Sequence, residues 1–153
     1  MATHDDRPKI LVADDDPEVV SLLVDVLEQD GYKAFVAQDA QGALQLALTH
    51  EPDLMLLDVV MPDVGGYEVY DTLRAQAPQR EWAVIFLTGL DEPEQIQQAF
   101  ALGAVDYITK PFSIALLRAR VRTWLMRLGK LGGGEGAGTT VAPPNSPAEG
   151  GTS

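Results

Sequence analysis

Four consecutive apolar residues closed by a carboxylate, Leu54-Met55-Leu56-Leu57-Asp58, constrain this chain more than any other stretch. A strand with one solvated face alternates polar and apolar residues. An unbroken apolar run therefore implies burial on both faces, the condition of a parallel sheet covered by helices. Beyond Asp58, Met61-Pro62 and then Gly65-Gly66 stop the strand, which leaves Asp58 at its carboxyl end and predicts that it faces solvent. In open α/β sheets that edge is where ligands bind.

The rest of the chain supplies partners for such a strand. Lys9 to Ala13 is a short buried-type strand that runs into Asp14-Asp15-Asp16-Pro17. Asp16 can cap a helix whose first turn holds Pro17 and Glu18, with Val19, Val20, Leu22, Leu23, Val26 and Leu27 on one broad face and Gly31 as its stop. A second strand over Lys33 to Ala37 is followed by a helix capped by Asp39 and ended by Pro52. The organising strand, Asp53 to Leu57, comes next. A helix from about Gly66 to Gln76 leads to a fourth strand, Trp82 to Leu87, ending on Thr88-Gly89. Asp91-Glu92-Pro93-Glu94 opens a helix that Gly103 closes, Val105 to Thr109 is a fifth strand, and Lys110-Pro111 lies at its end. Ser113 caps a last helix reaching roughly Leu128. Five strands alternating with five helices call for an α/β fold with a doubly wound parallel sheet and right-handed crossovers.

Composition narrows the function. The 153 residues suit one domain, read as 9–128, between a flexible amino terminus (1–8) and a tail (129–153) too rich in glycine and proline to offset its ordering entropy. The absence of cysteine removes disulfides and thiolate chemistry. No apolar run approaches the roughly 20 residues that span a bilayer, and no signal peptide is visible, so a cytoplasmic protein is expected. A net charge of −12 argues against direct binding to nucleic acid or to an anionic membrane.

In a sheet of order 2-1-3-4-5, strands one and three flank the switch point, so Asp14, Asp15 and Asp58 fall into one crevice with Thr88 and Lys110 opposite. Two carboxylates about 5 Å apart repel by roughly 3 kcal/mol at an effective dielectric near 20. A hard divalent cation removes that repulsion, and Mg2+ suits a few carboxylates that share a site with waters and phosphate oxygens. A tetrahedral anion held by metal, lysine and hydroxyl fits the remaining gap.

Four motifs, in order and each at a strand end, carry a resemblance. They are Ile-Leu-Val-Ala-Asp14-Asp15-Asp16-Pro, Leu-Leu-Asp58-Val-Val-Met-Pro-x-x-x-Gly66, Leu-Thr88-Gly and Gly-Ala-x-Asp-Tyr107-x-x-Lys110-Pro-Phe. Over about Lys9 to Leu128 the chain resembles the receiver domain of two-component response regulators, with a flavodoxin-like sheet. The resemblance implies a single-domain phospho-acceptor switch. Asp58 accepts a phosphoryl group from a sensor histidine kinase or a histidine phosphotransfer protein, and Asp15, Asp58 and the Val60 carbonyl ligate Mg2+, with Asp14 helping through water. It also implies that Thr88 and Lys110 bind the phosphoryl oxygens, that Lys110-Pro111 is a cis peptide, and that Tyr107 is a switch aromatic that moves inward after Thr88. The face built from the fourth helix, fifth strand and last helix then changes shape. Such a domain promotes only its own phosphorylation and dephosphorylation. The resemblance further implies that Gly65, where the family often carries a polar residue, loosens its loop, and that Val60 and Leu90 flank the route of attacking water.

Two rival readings compete with this one. A phosphorylation-independent binding module would not need Asp15, Asp58, Thr88 and Lys110 together. An aspartyl phosphohydrolase using Mg2+ would need a second carboxylate two residues past Asp58, where Val60 stands. His4 and His50 read as isolated surface residues, and Met55, Met61, Met126, Trp82 and Trp124 as packing. The last helix region concentrates five of the eleven basic residues, Arg118, Arg120, Arg122, Arg127 and Lys130, which suits a partner-protein face. Within it, Asp106 and Arg120 are candidates for a phosphorylation-dependent symmetric homodimer. The alternative is an exposed bridge between them within one chain.

Overall fold

The computed structural model describes residues 6–62, 64–89 and 93–131. The expectations placed on His4, Leu90, Asp91, Glu92 and the chain beyond Leu131 lie outside them. The elements are β1 (Lys9–Ala13), α1 (Pro17–Gln29), β2 (Lys33–Ala37), α2 (Ala40–His50), β3 (Leu54–Asp58), α3 (Gly66–Gln76), β4 (Val84–Thr88), α4 (Pro93–Leu102), β5 (Asp106–Thr109) and α5 (Ile114–Arg127). All strand pairs are parallel, in the order β2-β1-β3-β4-β5. This is the flavodoxin-like arrangement that the alternation predicts.

Local chemistry sets the helix starts. The side chains of Asp16, Asp39 and Ser113 accept hydrogen bonds from the amides of Glu18, Gly42 and Leu116 at 3.0, 2.8 and 2.8 Å. Each satisfies an amide donor that the helix itself cannot pair. Three strands begin later than the hydrophobic pattern suggests. Asp53 precedes β3 and instead bonds Lys9, its amide to the Lys9 carbonyl and its carboxylate to the Lys9 amide, both at 2.7 Å. Trp82 and Ala83 precede β4, and Trp82 closes the bottom of the sheet, its indole donating to the Ala77 carbonyl and the Arg80 guanidinium lying 4.8 Å over its ring. Val105 precedes β5 yet still donates to Val84 at 2.9 Å. Apolarity reports burial rather than ladder geometry, so these boundaries shift by one or two residues.

Every residue of β3 is buried, and its side chains divide between two cores. Met55 and Leu57 join α2, α3 and α4 on one face, while Leu54 and Leu56 join α1 and α5 on the other. Met126 is half exposed, contrary to its reading as packing. His50 is only partly exposed and stacks on Phe35 with ring centroids 4.2 Å apart, so it is a packed residue at the end of α2. After α5 the chain stays engaged: Lys130 donates to the Leu125 carbonyl at 2.8 Å and Leu131 packs against the α1/α5 core. No helix among the described residues is long and apolar enough to cross a membrane.

Candidate functional site

The carboxyl ends of β1, β3, β4 and β5 meet in one crevice. β1 runs out at Ala13, and the chain continues as Asp14, fully buried, and Asp15, exposed. Oxygens of Asp14, Asp15 and Asp58 all lie within 4.8 Å of one another. Lys110 reaches back over them from beyond β5, 2.6 Å from Asp14 Oδ2 and 3.2 Å from Asp58 Oδ2. Its backbone amide donates to the Thr88 carbonyl at 2.7 Å, which fixes where the side chain begins. The Lys110-Pro111 peptide is cis. Thr88 is fully buried at the end of β4, and Val60 is 60% exposed at the mouth.

Asp58 is not the solvent-facing carboxylate that its position at a strand end suggests. It is only 5% exposed, hemmed in by the Asp14 carboxylate, the Lys110 ammonium and the Val60 amide. Its Oδ1 accepts from the Val60 amide at 3.1 Å, and its Oδ2 takes the weaker share of Lys110. Burial pushes its carboxyl up to about 6, with the Asp14 charge adding to the rise and the Val60 amide and Lys110 opposing it. Burial alone would lower the Lys110 ammonium, but the Asp14 hydrogen bond and the two carboxylate charges outweigh it and hold the group above its ordinary value. The lysine is spent mainly on Asp14, whose other oxygen accepts from the Asp16 amide at 2.9 Å. Asp58 is therefore the under-compensated acid of the set.

The loop after β3 is tight, not loosened, at Gly65. A Cβ placed there would stand 1.9 Å from the Val59 carbonyl oxygen, and one at Gly66 would stand 2.6 Å from that of Asp58. Only glycine lets this backbone approach so closely. The Gly66 amide donates to Val59 O at 3.1 Å, and Glu68 Oε1 accepts from the Gly65 amide at 3.1 Å, so α3 hangs directly from the Asp58 loop.

Tyr107 already lies inside, 6% exposed in the α2/α3/α4 core. Its neighbour in sequence points to the other face. Asp106 is fully buried and accepts from Arg120 Nη1 at 3.2 Å through both oxygens and from the Trp124 indole at 3.1 Å. The Asp106–Arg120 pair is thus formed within one chain, and it is a buried bridge where an exposed one was expected. Trp124, taken as packing, is a polar partner as well. Its position one helical turn after Arg120 was the available signal. Arg118 departs from this group and makes a two-point contact with Asp30 at the end of α1, at 3.0 and 2.6 Å.

The residues present fit a divalent cation: three carboxylates, one exposed and two buried, converge with a single ammonium between the buried pair. Comparison with known proteins agrees. Residues 10–122 match the response regulator receiver domain family. The chain is 43% identical over 119 residues to the alkaline phosphatase synthesis transcriptional regulatory protein PhoP of Bacillus subtilis, covering 78% of this chain and 49% of that one. It is 42% identical over 116 residues to a probable cyclic di-GMP phosphodiesterase of Vibrio cholerae, covering 76% of this chain and 26% of that one. The chain thus spans half or less of the length of these two relatives. Among solved structures, the receiver domain of the Francisella response regulator 1452 superposes with a TM-score of 0.73 at 36% identity, covering 79% of this chain and 98% of that one. Because the family match runs from β1 into α5 and takes in the whole crevice from Asp14 to Lys110, this chain belongs to the response regulator receiver domains of two-component systems.

Proposed function

We propose that Asp58 is the phospho-acceptor of this receiver domain and that the phosphoryl donor is a phosphohistidine on a sensor histidine kinase or a histidine phosphotransfer protein. The observation that carries this is the charge imbalance in the crevice. Of the two buried carboxylates, Asp14 holds Lys110 at 2.6 Å and Asp58 only at 3.2 Å. Asp58 is left as a buried, weakly paired nucleophile with room at the mouth beside exposed Val60.

In the transfer an Asp58 oxygen forms the new bond to phosphorus while the phosphorus–nitrogen bond of the phosphohistidine breaks, its electron pair leaving on the imidazole. Lys110 lies close enough to shift its ammonium from Asp58 to a phosphoryl oxygen, and the Thr88 hydroxyl donates to another. Asp15, Asp58 and the Val60 carbonyl would hold Mg2+, with Asp14 assisting through water. The ion supplies positive charge against the spreading phosphoryl charge. Thr88 and Tyr107 then bias the face of α4, β5 and α5 toward its signalling form.

The test uses acetyl phosphate with Mg2+ and mass spectrometry of the product. Asp58→Asn is expected to lose Mg2+-dependent labelling, whereas Asp15→Ala keeps a labelled site but binds Mg2+ more weakly. Undiminished labelling of Asp58→Asn at another residue refutes the assignment, and unchanged metal affinity in Asp15→Ala refutes its ligand role.

A further inference from the structure

α4 is the most thinly anchored helix of the fold: of its described residues only Ala99 is buried. Ile96, Phe100 and Leu102 pack partly buried against the same core, and polar bonds from α3 add to this. Tyr67 donates its hydroxyl to the Gln95 carbonyl at 3.1 Å, Tyr70 donates to the Gly103 carbonyl at 3.2 Å, and Arg74 Nη1 donates to the Leu102 carbonyl. Positions 67, 70 and 74 are spaced by three and four residues, so one face of α3 presents all three donors. Two of the bonds have an ordinary structural reason. Leu102 and Gly103 end α4, where the last carbonyls have no partner in the helix, and Gly103 has a φ of 111° that suits a chain leaving it.

The Tyr67 bond is different. Gln95 lies in the first turn of α4, where its carbonyl already faces a partner in the helical ladder, so no unsatisfied group calls for a tyrosine. The ring is held edge-on against Phe86 of β4, with centroids 4.8 Å apart at 87°. Its hydroxyl is pushed up to about 12 by burial and by the neighbouring Tyr107. Tyr67 is also the second residue of α3, one past the Gly66 amide that is bonded to the Asp58 loop. It therefore touches α4 at one end, lies next to Tyr107, and is rooted at the acceptor loop.

We propose that Tyr67 is a positioning residue that ties α4 to the Asp58 loop through its hydroxyl bond to Gln95, and that this bond sets how readily α4 moves when Thr88 and Tyr107 respond to a phosphoryl group. The second half rests on the reading of Asp58 given above, and the first half does not. Phenylalanine keeps the ring against Phe86 and removes only the hydroxyl, so Tyr67→Phe separates the tie from packing.

Amide hydrogen exchange across α4 is the readout, with and without beryllofluoride and Mg2+. In the unmodified protein Tyr67→Phe is expected to exchange its α4 amides roughly fivefold faster, the loss of one neutral hydrogen bond. The further change on adding beryllofluoride should shrink correspondingly. Tyr70→Phe should affect the last turn of α4 alone, and both variants should label at Asp58 as the wild type does. Wild-type exchange rates along α4 in Tyr67→Phe would overturn the tie. Faster exchange with an undiminished beryllofluoride response would leave the tie and overturn the coupling. A wild type that neither labels nor responds to beryllofluoride would overturn the reading of Asp58 and the coupling with it, while the exchange in unmodified protein still decides the tie.

Discussion

Asp58 must be ionised to act as a nucleophile, and its burial opposes ionisation. With its carboxyl raised to about 6 against an ordinary value near 3.9, the folded protein binds the proton more tightly than the unfolded chain does. The sign follows from linkage. The stability contributed by the protonated acid is fully present below about pH 4 and is lost as pH rises through about 6, a difference of about 3 kcal/mol at 1.36 kcal/mol per unit. Asp58→Asn removes the titration while keeping the shape. In metal-free buffer the variant should match the wild type near pH 4 and exceed it by up to about 3 kcal/mol at pH 7 in urea unfolding. Added Mg2+ should narrow the gap, because the cation offsets the repulsion that only the carboxylate feels. A gap that is flat across this range would show that Asp58 ionises as easily folded as unfolded. The position of this residue at a strand end was legible in the sequence. Its burial was not, since that depends on partners brought in from other strand ends, Asp14 after β1 and Lys110 after β5, together with the Val60 amide on its own loop.

The two arginines that reach carboxylates from α5 show what an element's periodicity discloses and what it withholds. Arg118 and Arg120 stand two apart and so point in different directions, which the sequence makes plain. Which of them meets a buried acid depends on β5, where Asp106 and Ile108 face α5 and Tyr107 faces the other core. That register is a tertiary fact, and the hydrophobic pattern read one residue early at Val105 did not supply it. The consequences differ in size. The Arg118 side chain is 47% exposed, and solvent screens its bridge to Asp30 so that it adds little to stability. The Asp106 side chain is fully buried, so removing Arg120 takes its cationic partner from a buried charge that also accepts from the Trp124 indole and the Tyr107 amide, at a cost of about 3 to 5 kcal/mol. Urea unfolding of Arg118→Ala and Arg120→Ala should therefore separate widely. Equal losses in the two would mean that the buried pair is no more consequential than the exposed one.

At the scale of the whole molecule, the same pair bears on assembly. A chain of net charge −12 repels its copies, and a symmetric dimer would need its basic residues at the contact. The α5 surface offers them, and an exchange of Asp106 and Arg120 between copies is one way to build such a contact. In this structure, however, Asp106 is enclosed at 0% exposure and saturated from within by Arg120, Trp124 and the Tyr107 amide. Exchange would require opening that network in both copies. A single charge reversal cannot distinguish the cases, because Arg120→Glu disrupts an internal pair as surely as an intermolecular one. Mixing can. In a two-fold dimer, a chain carrying Asp106→Arg mixed with a chain carrying Arg120→Glu regains both bridges, one in each direction across the axis. An internal pair is regained only when both changes sit in the same chain. We expect restoration in one chain: the double variant should recover most of the thermal stability that each single variant loses. The mixed single variants should recover neither stability nor, with beryllofluoride and Mg2+, any faster-sedimenting species. A mixture that sediments as a dimer when neither component does so alone would show that activation releases Asp106 from Arg120 and hands it to a second copy.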